Sequence, residues 1–240
     1  MFKGETEVDV NVANENVAQD INVSTKKCKE VLGKKILYRM IKRSVDIIGA
    51  VFGILILIPL TIGIAIAKII LKEKSTIFYV HNRIGENGKI FKMYKFQSMQ
   101  VGADEILEKY LAENEEAREE YRINKKLKDD PRITKIGKFI RKTSIDEFPQ
   151  FINVLKGDMS LVGPRPYLPR EMEDIGDYYP YIVSLKPGVT GFWQVSGRND
   201  VTFKDRLEMD MQYYKKRNIK LDFILLCKTV LKVFNREGAI

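Results

Sequence analysis

The 240 residues carry 45% hydrophobic and 30% charged side chains, the balance of a folding chain with one globular domain and an appendage, and they exclude wholesale disorder, collagen and low-complexity architectures. Two cysteines, Cys28 and Cys227, support neither a disulfide framework nor a cysteine zinc site, which fits a reducing compartment, and a Ser-His-Asp triad would depend on the single histidine, His81. A net charge of +9 and a pI near 9.3 call for an acidic partner: nucleic acid, anionic lipid or a phosphorylated substrate.

The charge is distributed unevenly. Residues 1–25 hold Glu5, Glu7, Asp9, Glu15 and Asp20 against Lys3, without apolar periodicity, and residues 1–30 read as a mobile polar tail. Between 26 and 43 the sign reverses, with Lys26, Lys27, Lys29, Lys34, Lys35, Arg39, Lys42 and Arg43 facing only Glu30. Ile47 to Ala67 then runs 21 residues without a charge. Its aliphatic side chains favour insertion into lipid by roughly 4 to 8 kcal/mol before Gly and Pro are counted against them. The run begins too far from Met1 for a cleaved signal peptide, and soluble core helices seldom stay apolar on every face for this length.

Pro59 interrupts the apolar run near its middle, and cations flank both ends: the basic stretch before it, and Lys68, Lys72 and Lys74 after it. A proline at that place predicts a bend or break, and the positive-inside rule keeps both ends in the cytoplasm. Residues 31–75 therefore read as a basic flank and a re-entrant helix-break-helix that dips into one leaflet, in preference to a spanning helix. Asp46, at the inner edge, is expected to pair with Lys42 or Arg43 or to stay at the headgroup level.

Residues 76–240 read as a small cytosolic domain, giving an α+β, mainly helical fold class. Thr76 to His81 and Lys89 to Phe96 predict two strands of a β-hairpin around the Gly-containing turn 82–88. Residues 103–120 predict a solvated acidic helix, and His81 is expected to be structural. Asp129-Asp130 reads as a turn. Ile133, Ile136, Phe139 and Ile140 recur at helical spacing among Lys135, Lys138, Arg141 and Lys142, which predicts a basic amphipathic helix.

Next comes Arg141-Lys-Thr-Ser-Ile-Asp-Glu-Phe-Pro-Gln150. Ser144 and Glu147 match a capping box, a purely structural reading of the acids. Pro149 fits better if Asp146 is the cap, and either way Asp146 and Glu147 fall at a helix N-terminus. Neighbouring helical residues diverge by about 100°, so the two carboxylates suit separate tasks: one can attack while the other holds a metal. Downstream, Pro164 and Pro166 confine Arg165 in an extended backbone, a stiff mount suited to clamping a phosphate, or an ordinary turn with an exposed arginine. Residues 186–199 form a Gly-rich stretch with the only tryptophan, Trp193, and Arg198. No P-loop or Rossmann fingerprint is present.

Three stretches, Asp130-Pro-Arg-Ile-Thr-Lys-Ile-Gly137, Arg141 through Gly163-Pro-Arg-Pro166, and Pro187-Gly-Val-Thr-Gly-Phe-Trp-Gln-Val-Ser-Gly-Arg198, closely resemble the bacterial sugar transferases, the monotopic polyprenyl-phosphate phosphoglycosyl transferases. The resemblance covers roughly residues 38–240. It implies transfer of a phosphosugar from a UDP-sugar to undecaprenyl phosphate, with release of UMP, at the start of capsule, exopolysaccharide, O-antigen or glycoprotein glycan assembly. It implies Asp146 as nucleophile through a phosphosugar-aspartyl intermediate, Glu147 with Asp146 at a magnesium ion (Mg2+), and Arg141, Arg165 and Arg198 on phosphates. The implied place is the cytoplasmic face of the bacterial inner membrane. Expected partners are inner-leaflet lipid, a second copy of the chain and glycan assembly enzymes, and not nucleic acid. The chain departs from the family hairpin at Lys95-Phe-Gln-Ser-Met99, where Lys-Phe-Arg-Ser-Met is frequent, and at His81, where glutamine is frequent. With only about 40 residues before the apolar run, it looks like the small form. The rival class is a non-catalytic, membrane-anchored basic module.

Overall fold

The computed structural model describes the backbone of residues 6–125, 127–196 and 201–235, with side chains from Lys35 to Val233 inside those ranges. The chain divides into two units, Met1–Arg43 and Ser44–Ile240. Helix α1 is assigned from Thr6–Ile70, so helical backbone occupies part of the stretch expected to be a mobile tail. The side chains there lie outside the described residues.

From Ser44 onward α1 has two unlike faces. Asp46, Ala50, Leu57, Ile64 and Lys68 recur at spacings of four or seven residues and are buried, whereas Ile48, Phe52, Leu55, Ile62, Ile66 and Ile69 are exposed. Spacings that are sums of three and four place the first set along one side of a helix. Pro59 does not end α1: the helix is assigned without interruption through it. A helical proline removes one amide bond and strains one turn while the flanking turns keep their own bonds. The expected helix-break-helix is therefore a single helix here. Among the described residues one helix, Lys35–Ile70, is long and apolar enough to cross a membrane.

The inner face packs on the polar domain along its whole length. Ala50 joins a core with Met93, Val154, Leu161 and Leu225, and Leu57 and Ile64 join another with Phe96, Ile136 and Ile140. Both ends are fastened by charge. Asp46 Oδ1 accepts from Ser160 Oγ (2.9 Å) and Leu161 N (2.8 Å), so this carboxylate is turned into the domain. Lys68 Nζ donates to Ser75 Oγ (2.7 Å), Thr76 O (2.9 Å) and Gln97 O (3.2 Å).

Strands β1 (Phe78–Ile84) and β2 (Ile90–Phe96) form the expected antiparallel hairpin, with β1 extended three residues past His81 to reach Arg83 and Ile84. The acidic stretch is two helices, α2 (Ala103–Glu113) and α3 (Glu115–Asn124), divided at Asn114, which is extended. Helix α4 (Lys135–Lys142) is the basic amphipathic helix, and Thr134 caps it by accepting from Gly137 N at 3.0 Å. Helix α5 (Gln150–Lys156) leads into β3 (Ser160–Val162), and short helices α6 (Met172–Ile175) and α7 (Tyr179–Ile182) follow. Strand β4 (Gly188–Thr190) pairs with β3 in parallel, then come α8 (Phe192–Ser196), α9 (Phe203–Lys216) and α10 (Ile219–Asn235). The result is a mainly helical fold with a small hairpin and one long apolar helix.

Candidate active site

Side chains alternate across a strand and cross-strand pairs share a face, so Tyr79, His81 and Arg83 of β1 lie with Lys95 of β2, the partner of Tyr79. These four residues line a cavity of about 1160 Å³. The other walls come from Arg141, Asp146 and Glu147, from Arg165 and Arg170, from Trp193 and Gln194, and from Phe52, Gly53 and Ile56 of α1. One chamber thus joins a cationic interior to the apolar helix.

The acid pair sits on a 3-10 turn, Ile145–Glu147, between α4 and α5. The capping box is not formed: Ser144 adopts a left-handed conformation (φ 56°) and its side chain caps nothing, while Pro149 takes the cap position of α5. A left-handed residue that is not glycine costs about 1 to 2 kcal/mol, and here it turns the chain so that both carboxylates meet β2. Lys95 Nζ lies 3.5 Å from Asp146 Oδ2 and 3.3 Å from Glu147 Oε1. Asn153 fixes that register. Fully buried on α5, it accepts from Tyr94 N (3.0 Å) and donates to Lys92 O (2.7 Å), bracketing β2 beside Lys95.

Arg141 reaches the same place from α4. Gly137 makes this approach feasible, because a Cβ there would collide with the Ser98 carbonyl, and Arg141 Nε donates to Ser98 Oγ at 2.9 Å. Burial raises Asp146 above the usual carboxylate range; the Lys95 ammonium pulls it back, Glu147 pushes it up again and Arg141 lowers it. Burial also lowers Arg141, with Asp146 opposing. Asp146 is thus a desolvated carboxylate facing two cations, an arrangement able to attack an anionic electrophile whose charge those cations offset.

Arg165 is mounted as its prolines suggest. Strand β3 hands the chain to Gly163, whose amide donates to Thr190 O (2.9 Å), and Pro164 O accepts from Gly188 N (2.9 Å). Gly163 and Gly188 meet backbone to backbone, leaving no room for a Cβ on Gly188. Asp210 Oδ2 accepts from Arg165 N (3.1 Å) and Tyr167 Oη (2.8 Å), and Arg83 Nη1 donates to Pro166 O (3.0 Å). Burial lifts Asp210 to about 7, and burial followed by Arg165 brings both Arg83 and Arg206 down to about 10. His81, half-buried and beside Arg83, falls to about 4 and is neutral at physiological pH.

The site therefore gathers Arg141, Asp146, Glu147 and Arg165 around one cavity, while Arg198 lies outside the described residues. Pro59 is absent from the cavity lining, and Asp46 serves as a tie between α1 and β3. Sequence reasoning missed Lys95, Arg83, Asp210 and Gln194. The alternation of Tyr79, His81 and Arg83 was a readable signal for Arg83; Asp210 carried none, since its partners lie more than forty positions away.

For a metal, magnesium takes oxygen donors and is commonly held by one or two carboxylates, with water and phosphate oxygens completing six positions. Asp146 and Glu147 are such a pair, and the ammonium between them marks where positive charge is already held. Among the described residues no group of three or more His, Cys, Asp or Glu assembles.

The sequence profile of the bacterial sugar transferases matches residues 37–236, 200 of the 240 residues. The protein belongs to that family. It is 45% identical over 201 residues to the undecaprenyl-phosphate galactose phosphotransferase of Salmonella typhimurium, covering 84% of this chain and 42% of that one. It is 40% identical over 200 residues to the exopolysaccharide production protein ExoY of Rhizobium meliloti, covering 83% of this chain and 88% of that one. With the UDP-glucose:undecaprenyl-phosphate glucose-1-phosphate transferase of Escherichia coli it shares 34% identity over 209 residues, 84% of this chain and 42% of that one. Within the family, then, the chain spans less than half of the Salmonella and Escherichia relatives but most of ExoY.

Proposed function

We propose that this sugar transferase moves a phosphosugar from a UDP-sugar to undecaprenyl phosphate as a first membrane step of exopolysaccharide or capsule assembly. The observation that carries this reading is the partly buried Asp146 carboxylate facing Lys95 and Arg141 in a cavity walled on one side by the apolar α1. A soluble anionic donor and a lipid-borne anionic acceptor can share such a chamber.

In the first step an Asp146 oxygen attacks the phosphorus bearing the sugar. A P–O bond forms to the carboxylate, the bond to the bridging oxygen breaks, and that oxygen leaves with its electron pair as part of UMP. In the second step an oxygen of undecaprenyl phosphate attacks the same phosphorus, the bond to Asp146 breaks, and the carboxylate returns as the diphosphate-linked lipid forms. Lys95, Arg141 and Arg165 offset charge on the phosphoryl oxygens throughout. Magnesium, held by Asp146 and Glu147, would supply further charge neutralisation at phosphate. Membranes containing the protein, given a UDP-sugar, undecaprenyl phosphate and Mg2+, are expected to release UMP, and Asp146→Asn to lose about a thousandfold or more of that rate. Full activity in the variant would remove the nucleophile, and absence of UMP release from every UDP-sugar would favour the non-catalytic module.

The same reading seats α1 in one leaflet with both ends on the cytoplasmic side. The inner-face contacts from Asp46 to Lys68 extend on the order of 33 Å at 1.5 Å per residue, so a crossing helix would drag polar protein through hydrocarbon. A cysteine placed at Asp20, in a chain lacking Cys28 and Cys227, should stay unlabelled by an impermeant thiol reagent from the periplasmic side. Labelling there would mean that α1 spans.

A further inference from the structure

The seat of Arg141 is made of two pieces of backbone. Beyond β2 the chain runs through Gln97 and Ser98 to Met99, and Ser98 Oγ is the acceptor that fixes Arg141 Nε. The start of α4 lies against this segment: Thr134 N donates to Ser98 O (3.1 Å), Met99 pairs with Ile133, and Gly137 rests on the Ser98 carbonyl. The aim of Arg141 at Asp146 therefore depends on how firmly residues 97–99 and the first turn of α4 keep their separation.

One buried ion pair at the end of α1 ties both pieces. Lys68 is 4% exposed, and its ammonium places its three protons on Ser75 Oγ, Thr76 O and Gln97 O. Lys72 ends α1 in a left-handed conformation (φ 54°), and Glu73 N returns to Lys68 O at 3.0 Å, which folds the acid back beside the ammonium. Glu73 Oε2, buried and without a hydrogen bond among the described residues, lies 3.8 Å from Lys68 Nζ, and Glu73 Oε1 accepts from Ile136 N at 3.5 Å. The lysine thus holds the strand side of the Arg141 seat and the glutamate holds its helix side. Adhesion of α1 to the domain needs no charge here, because Leu57 and Ile64 supply it with apolar side chains, and a buried ion pair carries a desolvation cost that such packing avoids. What the pair adds is direction, since hydrogen bonds fix the 97–98 backbone in distance and angle where apolar contacts leave it free to slide.

We propose that Lys68, paired with Glu73, is a positioning residue for the transfer: it acts through Gln97 and Ser98 to aim Arg141, so the membrane helix itself sets the place of a cation opposite Asp146. Neither Lys68 nor Glu73 lines the cavity, and their influence reaches the reacting atoms only through the Arg141 seat. The proposal rests on the reading that Arg141 offsets charge on the transferred phosphoryl group.

The test is a double-mutant cycle on the full chain in lipid nanodiscs, reading UMP release from whichever UDP-sugar the parent turns over. Lys68→Met keeps the reach of the side chain and removes its three donors. It is expected to lower kcat about tenfold and to leave KM for the UDP-sugar within about twofold, because a misaimed cation is missed more by the transition state than by the bound donor. In an Arg141→Met background no guanidinium is left to aim, and the same substitution should cost less than about twofold. Glu73→Gln is the milder probe of the same pair: it keeps an acceptor for Ile136 N, removes the charge beside Lys68, and should cost about threefold in the parent and nothing once Arg141 is gone. Losses of equal size with and without Arg141, losses carried by KM, or full activity in both variants overturn the proposal and leave the transferase reading intact. A parent protein that releases no UMP from any UDP-sugar overturns both.

Discussion

Asp146 and Asp210 are two carboxylates pushed upward by the same force, loss of water, and put to opposite uses by their neighbours. Asp146 looks across a cavity at an ammonium and a guanidinium, with no backbone amide engaged to its side chain in the described contacts. Asp210 is sealed, 1% exposed, and spends one oxygen on the Arg165 amide and the Tyr167 hydroxyl. The first can form a bond to an incoming atom. The second can only hold the loop that carries Arg165. Burial alone therefore says little about whether an acid reacts; access and the kind of partner decide it.

That contrast can be broken most forcefully at Asp210. Its folded value of about 7 lies above the ordinary 3.8, so between those values the folded chain binds a proton that the unfolded chain has released, and stability falls as pH rises through the window. Asp210→Asn, neutral at every pH, is expected to gain on the parent across that range, by roughly 4 kcal/mol at 1.36 kcal/mol per unit. Melting followed from pH 4 to pH 8 reads this; a gap that stays constant would mean that the carboxylate stays ionised throughout.

At the reactive acid the expected change is one of rate. Lys95 is the strongest influence lowering Asp146, so Lys95→Met should cost about a hundredfold in UMP release by removing a charge that faces the phosphoryl group. It should also move the acid limb of the pH–rate profile upward, because Asp146 must be ionised to attack and would then hold its proton to higher pH. An unmoved limb would assign that ionisation to another group.

Local signals made much of this fold legible. The hairpin followed from two apolar runs around a glycine turn, α4 from four apolar residues at helical spacing, and the stiffness of Arg165 from its flanking prolines. What the chain hid was long-range. Nothing near Asp46 reveals that Ser160 and Leu161 will satisfy it, and nothing near Asn153 reveals that Tyr94 and Lys92 will. Neither Ser144 nor Asp146 became a helix cap, because the local pattern is satisfied by types alone, whereas the chain takes a left-handed residue at Ser144 that turns Asp146 toward Lys95. At Pro59 the break alone is not met, because one lost amide bond does not end a helix whose inner face is packed over many turns.

Gly53 of α1 sits directly against the ring of Phe151 on α5, and both residues face the cavity. The hydrophobic anchor is thereby a structural wall of the reaction chamber, and Phe151 follows Phe148, at the end of the acid turn, by three positions. Removing residues 1–70 to obtain a soluble enzyme would strip that wall and lay bare the partners of Leu57 and Ile64. Solubility and an intact chamber are therefore competing goals in this architecture.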